Sequence, residues 1–140
     1  MDDKLKIKMF SITLDCKDAH ELADFYTAFL GWEKRCDDPE FIEVSAQKGE
    51  PLFRGEHPFI WIQQNDDFVP PIWPEEPERQ QQMVHIDFAV NDIEKAVQHA
   101  IDCGARKSAE QYSENWTVMF DPAGHPFCLA QLKPFFDKHE

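Results

Sequence analysis

The sequence is short of positive charge, and this shortage excludes several classes of partner. Its 140 residues include 27 Asp and Glu but only 14 Lys and Arg, which gives a net charge of −13. Nucleic acids and anionic membranes bind through basic surfaces, so we expect neither as a partner. The acidic composition favours cationic ligands instead.

Cysteine spacing and hydropathy exclude further classes. The four cysteines lie at positions 16, 36, 103 and 128 without a Cys-x-x-Cys pair, so neither a zinc knuckle nor a thioredoxin-type site is expected. At this density they are typical of reduced thiols in the cytoplasm. No apolar run approaches the roughly 18 residues of a membrane span. The acidic start, Met1-Asp2-Asp3, lacks the apolar core of a signal peptide.

What the sequence does contain is an internal duplication. The segment 57–63 (HPFIWIQ) recurs as 125–131 (HPFCLAQ), which matches Gln63 with Gln131. The segment 11–18 lines up in the same way with 85–92. Because repeats are structural units, a position found in one half can be checked in the other.

Each half is predicted to form a strand, a helix and three further strands. Asp18 begins the first helix with a capping pattern, apolar residues follow at helical spacing, and Gly31 ends it. Asn91 begins the matching helix of the second half, and Gly104 ends it. Strands are predicted over 6–14, 32–35, 41–45 and 58–63, and over 83–90, 105–111, 116–120 and 126–132, of which 105–111 has the weakest pattern.

A proline-rich acidic segment separates the two halves. Residues 65–82 hold four prolines and five acidic residues, which excludes a helix or a central strand. We interpret this segment as a linker between two modules, 6–64 and 83–133, of a single domain over 1–140. Its apolar residues Phe68, Ile72 and Trp73 indicate that it is fixed against the body of the protein.

Two motifs make the sequence resemble the vicinal oxygen chelate superfamily, which includes glyoxalase I, extradiol dioxygenases and bleomycin-resistance proteins. The motifs are Asp24-Phe25-Tyr26 followed by Leu30-Gly31-Trp32, and Phe120-Asp121-Pro122-Ala123-Gly124-His125-Pro126-Phe127. The stretch from Trp73 to Asp87 is similar to the glyoxalase-like domain branch. The resemblance extends from Met9 to Leu132. It implies an α+β fold in which two paired β-α-β-β-β modules, with strongly curved mixed sheets, form a cleft. It also implies a homodimer.

The resemblance also implies where a metal would be held. Metal-using members take one ligand from the first strand and one from the last strand of each module, usually two His or Gln and two Glu. Aligning the two halves puts Ser11, Ile60, His85 and Cys128 at these positions, and only His85 matches. We therefore expect no metal and no other cofactor. A soft metal held by His85, Cys128 and Asp87 is the alternative.

Strand alternation predicts which side chains face the cleft. His85 and Asp87 lie two residues apart and point the same way. They could form an acid–base pair, a polar anchor for a ligand, or a purely structural pair. The predicted ligand-binding residues are His85, Asp87, Ser11, Thr13, Ile60, Ile62 and Cys128, with Trp73 and Trp116 as walls.

Together these features predict a glyoxalase-like domain protein with a degenerate metal site, which binds a small organic ligand or substrate in an apolar cleft. One alternative is a metal-dependent lyase, isomerase or dioxygenase with a non-standard ligand set. Another is a drug-sequestering protein like the bleomycin-resistance members, which the net charge of −13 and the four tryptophans favour. We expect a cytoplasmic homodimer.

Overall fold

The chain forms two β-α-β-β-β modules, so the predicted α+β fold class is confirmed. A computed structural model describes residues 4–38, 41–46 and 58–136. The first module contains β1 (Ser11–Cys16), α1 (Ala19–Leu30), β2 (Glu33–Asp37), β3 (Phe41–Ser45) and β4 (Phe59–Gln64). The second contains β5 (Ile86–Val90), α2 (Ile93–Cys103), β6 (Arg106–Lys107), β7 (Trp116–Phe120) and β8 (Pro126–Gln131), and a 3-10 helix follows (Lys133–Phe135).

Each module builds one four-stranded mixed sheet. The strand orders are β1-β4-β3-β2 and β5-β8-β7-β6. In each sheet the first and last strands of the module pair in parallel, whereas the other pairs are antiparallel. The parallel pair therefore brings together the two strands from which functional side chains were expected.

Both helices are capped by short polar side chains. Asp18 accepts a hydrogen bond from the N–H of Glu21 at 3.0 Å, as predicted. The second cap is Asp92, which accepts from the N–H three residues on at 3.1 Å, so the prediction of Asn91 was wrong. The carbonyl of Asn91 instead accepts a hydrogen bond from Gln131. No helix among the described residues is long and apolar enough to cross a membrane.

Glycines end both helices, as predicted. Gly31 follows α1 in the left-handed region, with φ of 70°, and Gly104 follows α2 with φ of 123°. Residues without a Cβ adopt this conformation at little cost. The chain can therefore turn at once into the next strand.

Apolar packing between helix and sheet forms the core of each module. In the first, α1 packs on β3 and β4 and buries Leu22, Phe25 and Tyr26 to 2% exposure or less. In the second, α2 packs mainly on β8 and buries Ala100 completely. These contacts fix the strands that carry the site.

The chain divides into two compact units, Met1–Asn65 and Asp66–Glu140. The segment predicted as a linker thus belongs with the second unit, apart from its first residue. The ring of Phe68 lies 5.1 Å from that of His125, and Trp73 meets Tyr112 edge-on at 6.3 Å. These contacts fix the segment against the body of the second unit.

Candidate functional site

The register of β5 and β8 determines which side chains lie side by side in the second unit. Asp87 and Cys128 are direct partners across these parallel strands, and Ala89 and Ala130 are the next partners on the same side. Val118 of β7 pairs with Cys128 from the other flank. This side of the sheet therefore carries a carboxylate at one edge, a thiol in the middle and an apolar side chain beyond it.

An imidazole joins the carboxylate and the thiol. His85 precedes β5, and its Nε2 lies 3.0 Å from Oδ1 of Asp87. One potential ligand atom from each of His85, Asp87 and Cys128 lies within 4.8 Å of the other two. The side chains of His85 and Asp87 are 41% and 65% exposed, so a ligand can reach both groups.

The thiol in this cluster is held in its protonated form. Burial, the negative charge of Asp87 and the hydrogen bond to Asp87 together raise the pKa of Cys128 to about 11. At neutral pH the thiol therefore keeps its proton and donates a hydrogen bond to the carboxylate. A nucleophilic cysteine needs the opposite, a depressed pKa, so Cys128 acts here as a polar contact.

An aromatic side chain borders the same face. Trp116 pairs with Ala130, which in turn pairs with Ala89, so these three residues lie on one side of the sheet. Trp116 is 44% exposed. A planar apolar group could rest on the ring while its polar end reaches Asp87. We call this side of the second sheet the amphipathic face, and it comprises His85, Asp87, Ala89, Trp116, Val118, Cys128 and Ala130.

A glutamine at the end of the last strand holds the helix start in each module. In the second, Gln131 accepts a hydrogen bond from the first helical N–H at 2.8 Å. In the first, Gln64 accepts from the first helical N–H at 2.9 Å. Each glutamine also donates to a carbonyl just before its helix. Gln64 is therefore the counterpart of Gln131, whereas the sequence repeat had matched Gln63 with it.

Because Gln64 rather than Gln63 matches Gln131, different side chains of β4 lie beside Ser11 and Thr13 of β1. Thr13 pairs with Trp61, and Ser11 with Phe59, so these four side chains share one side of the sheet. Ile60 and Ile62 point to the opposite side and are only 4% and 0% exposed. The prediction that Ile60 and Ile62 share a face with Ser11 and Thr13 was wrong. Trp61 occupies the place equivalent to Cys128.

The sequence interpretation also missed a buried carboxyl group on that face. Glu43 of β3 pairs with Trp61 and is 3% exposed. Burial raises the pKa of Glu43, and the positive charge of Arg35 partly offsets this. The available signal was a single charged residue inside the otherwise uncharged strand 41–45.

Trp73 was predicted to be a wall of the cleft, and the structure shows its surroundings. Trp73 packs against Tyr112, and its buried indole N–H has no acceptor among the described residues. His57, which the sequence repeat matched with His125, falls outside the described residues. The part of the structure that is described thus brings together His85, Asp87 and Cys128, and it places Trp116 on the same side of the sheet.

A cavity also lies beside β5, away from the polar cluster. Its volume is about 460 Å³, and the residues around it include Ala89, Asn91, Lys95, His99 and Phe136. It shares only Ala89 with the amphipathic face. The polar cluster therefore lies on an open side of the sheet rather than inside this cavity.

A sequence model for the glyoxalase-like domain matches residues 11–130, which include most of both units. The chain belongs to the glyoxalase-like domain family. The resemblance inferred from the sequence motifs is thereby confirmed. No curated protein sequence matches this glyoxalase-like domain.

Solved structures similar to this glyoxalase-like domain belong to the vicinal oxygen chelate superfamily. Trypanothione-dependent glyoxalase I from Leishmania major has a TM-score of 0.64 at 18% identity, covering 95% of this chain and 92% of that chain. A fosfomycin resistance protein from Listeria monocytogenes has a TM-score of 0.63 at 14% identity, with coverages of 90% and 93%. A glyoxalase-related enzyme from Fulvimarina pelagi has a TM-score of 0.62 at 15% identity, covering 88% of this chain and 86% of that chain. At these identities the likeness shows the fold alone.

The residues at the superfamily's metal positions do not fit its usual ligand set. The resemblance assigned Ser11 and Ile60 to these positions in the first unit, but the offset in β4 puts Trp61 in the place of Ile60, and an indole offers no ligand atom. In the second unit they hold His85 and Cys128, and Asp87 supplies a third donor nearby. The donors that converge therefore come from one module and include a sulfur.

Proposed function

We propose that this glyoxalase-like domain binds a small organic molecule on the amphipathic face of its second unit. The observation that carries the proposal is the convergence of His85, Asp87 and Cys128 within 4.8 Å, on the side of the sheet that also bears Trp116. A few polar groups beside an apolar surface are typical of small-molecule sites. The exposed carboxylate and the net charge of −13 favour a ligand that is cationic or rich in N–H donors.

A ligand screen by thermal unfolding tests this proposal. A ligand at a hundredfold excess over its dissociation constant stabilises the fold by about 2.7 kcal/mol. Asp87→Asn should weaken the binding of cationic ligands, and Trp116→Ala should weaken the binding of all ligands. The control is Glu94→Gln, which removes an exposed carboxylate from α2 and should leave ligand binding unchanged. Ligands that bind equally well to both site variants would show that the site lies elsewhere.

A second candidate function is a metal-dependent lyase, isomerase or dioxygenase with a non-standard ligand set. The imidazole, carboxylate and thiol of the polar cluster suit Zn²⁺ or Co²⁺. With three protein ligands, a bound ion would keep an open position for a substrate oxygen, where it could act as a Lewis acid. Asp87 would then be a ligand rather than the anchor for a cation.

Cobalt titration separates the two candidates. A Co²⁺ ion bound by Cys128 would produce a thiolate-to-metal charge-transfer band, which Cys128→Ser should abolish and Asp87→Asn should weaken. The matched control is Cys103→Ser on α2, which should leave the band unchanged. If no band appears at equimolar Co²⁺, the metal-dependent candidate fails and the organic-ligand proposal stands.

We also propose that the domain works as a cytoplasmic homodimer. Support comes from β1 and β5, which each lie at one end of a sheet and so offer backbone groups for pairing. Among the described residues Cys16, Cys103 and Cys128 form no disulfide, which suits a reducing compartment. Sedimentation equilibrium at micromolar concentration tests the dimer, because a monomer would have only the 16.4 kDa mass of the chain.

A further inference from the structure

The cavity beside β5 lies at a place where the two halves of the duplication differ. Each helix begins one residue after an aspartate cap, so equivalent positions are found by counting from the caps. The fourth residue after the cap is Leu22 in α1 but Ala96 in α2. The seventh is Phe25 in α1 but His99 in α2. Both of these positions of α2 line the cavity.

In the first unit the same two positions hold large side chains that belong to the core. Leu22 and Phe25 are 1% and 2% exposed, and the ring of Phe25 stacks on that of Phe29 at 5.5 Å. An alanine and an imidazole at these positions leave part of that volume unfilled. We attribute the cavity of about 460 Å³ in the second unit to the loss of the two apolar side chains.

The side chains that line the cavity combine positive charge with an apolar surface. Lys95 and His99 are four residues apart on α2, so they lie on the same face of the helix. Phe136, which follows the 3-10 helix, supplies an aromatic ring, and Ala89 and Ala96 supply small apolar side chains. The volume lies within the range of small-molecule sites, about 300–1,000 Å³.

The carboxylate at the cavity already has a partner, whereas the ammonium group is available. Oδ1 of Asp92 accepts a hydrogen bond from the backbone N–H of Lys95 at 3.1 Å, which caps α2. Within the described ranges 4–38, 41–46 and 58–136, no ion pair involves the ammonium group of Lys95. The cavity therefore favours a negatively charged group at this point.

Hydrogen bonds fix the walls of the cavity before any ligand arrives. The side chain of Gln131 donates to the carbonyl of Asn91, and the N–H of Leu132 donates to the carbonyl of Val90 at 3.0 Å. The N–H of Phe136 donates to the carbonyl three residues earlier at 2.9 Å. Little ordering of the protein is then required for binding.

We propose that this cavity is a second binding site, which takes a small organic carboxylate with an aromatic or other apolar body. The carboxylate pairs with the ammonium group of Lys95 and accepts a hydrogen bond from a ring N–H of His99. The apolar body rests against Phe136. The site shares only Ala89 with the amphipathic face, so it is independent of the function proposed above.

Nuclear magnetic resonance titration of the full chain with 2-naphthoate tests the site. We expect saturable shifts of the amide resonances of residues 89–99 and of Phe136, with a dissociation constant on the order of 1 mM or tighter. The matched probe is 2-naphthamide, which has a similar shape but no charge. Because it cannot form the ion pair, it should bind about threefold more weakly or worse.

A charge substitution tests the role of Lys95. Lys95→Met keeps the aliphatic chain but removes the charge, so it should weaken the binding of 2-naphthoate by about threefold or more. It should leave the binding of 2-naphthamide unchanged. The control is Lys107→Met, which removes the same charge from an exposed position of β6 and should leave the binding of both probes unchanged.

Refilling the cavity tests its origin. Ala96→Leu combined with His99→Phe restores the two side chains of the first unit, so it should abolish the binding of both probes. Circular dichroism and thermal unfolding check that this double variant is folded. If it does not fold, Phe136→Ala takes its place. That variant removes the aromatic wall and should weaken the binding of both probes.

Four outcomes would overturn the inference. The absence of saturable shifts, or shifts confined to residues outside the cavity, would show that 2-naphthoate does not bind there. Equal losses of affinity in Lys95→Met and Lys107→Met would show that net charge, and not the cavity, attracts the probe. Equal affinities for 2-naphthoate and 2-naphthamide would show that the site does not select a carboxylate. None of these outcomes affects the proposal for the amphipathic face.

Discussion

Asp87 and Cys128 are cross-strand partners in the parallel ladder of the second sheet, and the thiol donates its hydrogen bond to the carboxylate. The carboxylate is more than half exposed, whereas the thiol is only partly accessible. A ligand that binds Asp87 must therefore share this acceptor with Cys128 and His85. Competition for one carboxylate links the chemistry of the thiol to that of the site.

The first prediction concerns the reactivity of Cys128. Because burial and Asp87 raise its pKa to about 11, alkylation by iodoacetamide should be slow at neutral pH and should rise with pH up to that value. Asp87→Asn removes the negative charge beside the thiolate, so the pKa should fall and alkylation at fixed pH should accelerate. Both rates are measured by mass spectrometry in a Cys103→Ser background. Equal rates would show that Asp87 does not control the thiol.

The second prediction concerns the two capping glutamines. Gln64→Ala and Gln131→Ala each remove two hydrogen bonds at a helix start, so each should lower the free energy of unfolding by about 1–3 kcal/mol. The control is Gln63→Ala, at the neighbouring position that the sequence repeat had matched with Gln131, and it should cost less than about 0.5 kcal/mol. Urea unfolding provides the measurement. A larger loss at Gln63 than at Gln64 would contradict the register of β4.

The third prediction compares two glycines with positive φ. A Cβ at Gly124 would lie 3.0 Å from Cβ of Pro70, whereas a Cβ at Gly31 would meet nothing within 4 Å. Gly31→Ala should therefore cost only the left-handed backbone conformation, about 1–2 kcal/mol. Gly124→Ala adds a clash with the segment 66–82 and should cost more. Equal losses in thermal unfolding would mean that Pro70 does not pack on this turn.

The fourth prediction concerns the buried Glu43. Because burial raises its pKa in the folded state, the ionised form destabilises the fold above that pKa, and the penalty disappears as the pH falls through it. Glu43→Gln should therefore raise the free energy of unfolding at neutral pH and lose this advantage in acid. Urea unfolding of the parent protein and the variant, from acidic to neutral pH, measures this difference. The control is Glu94→Gln at an exposed position. A benefit that persists in acid would have a cause other than ionisation.

Strong local signals allowed much of the fold to be predicted from the sequence. The helix-ending glycines and the Asp18 cap depend on residues close together in the chain, and the duplication appears as two similar continuous stretches of sequence. All three are found in the structure. The side of β5 and β8 that carries Asp87 and Cys128 was also predicted correctly. Alternation within short strands was sufficient there, because Asp87 and Cys128 are direct partners in the ladder.

The face of β4 could not be predicted in the same way. A shift of one residue moves every side chain to the other side of a strand. Two consecutive glutamines, Gln63 and Gln64, hid this shift, because either could have been the counterpart of Gln131. The hydrogen bonds to the start of α1 distinguish them, and these link residues 45 and 47 positions apart in the chain.

The starts of β1 and β5 were predicted too early for a related reason. The predictions of 6–14 and 83–90 rested on alternating apolar residues, yet the strands begin at Ser11 and Ile86. Alternation shows that a segment can form a strand, but a strand also needs a neighbour for its backbone. The sequence of one strand does not show where the strand that pairs with it begins or ends.

The Asp87–Cys128 pair sits on a parallel ladder rather than on a loop, and this position bears on the rate of ligand capture. Backbone hydrogen bonds of β5 and β8 already hold the two side chains at adjacent positions, so little conformational entropy is lost when a ligand arrives. Association should then be a single step whose rate rises linearly with ligand concentration, without a plateau from a slow rearrangement. Differences in affinity among ligands would arise mainly in their residence times.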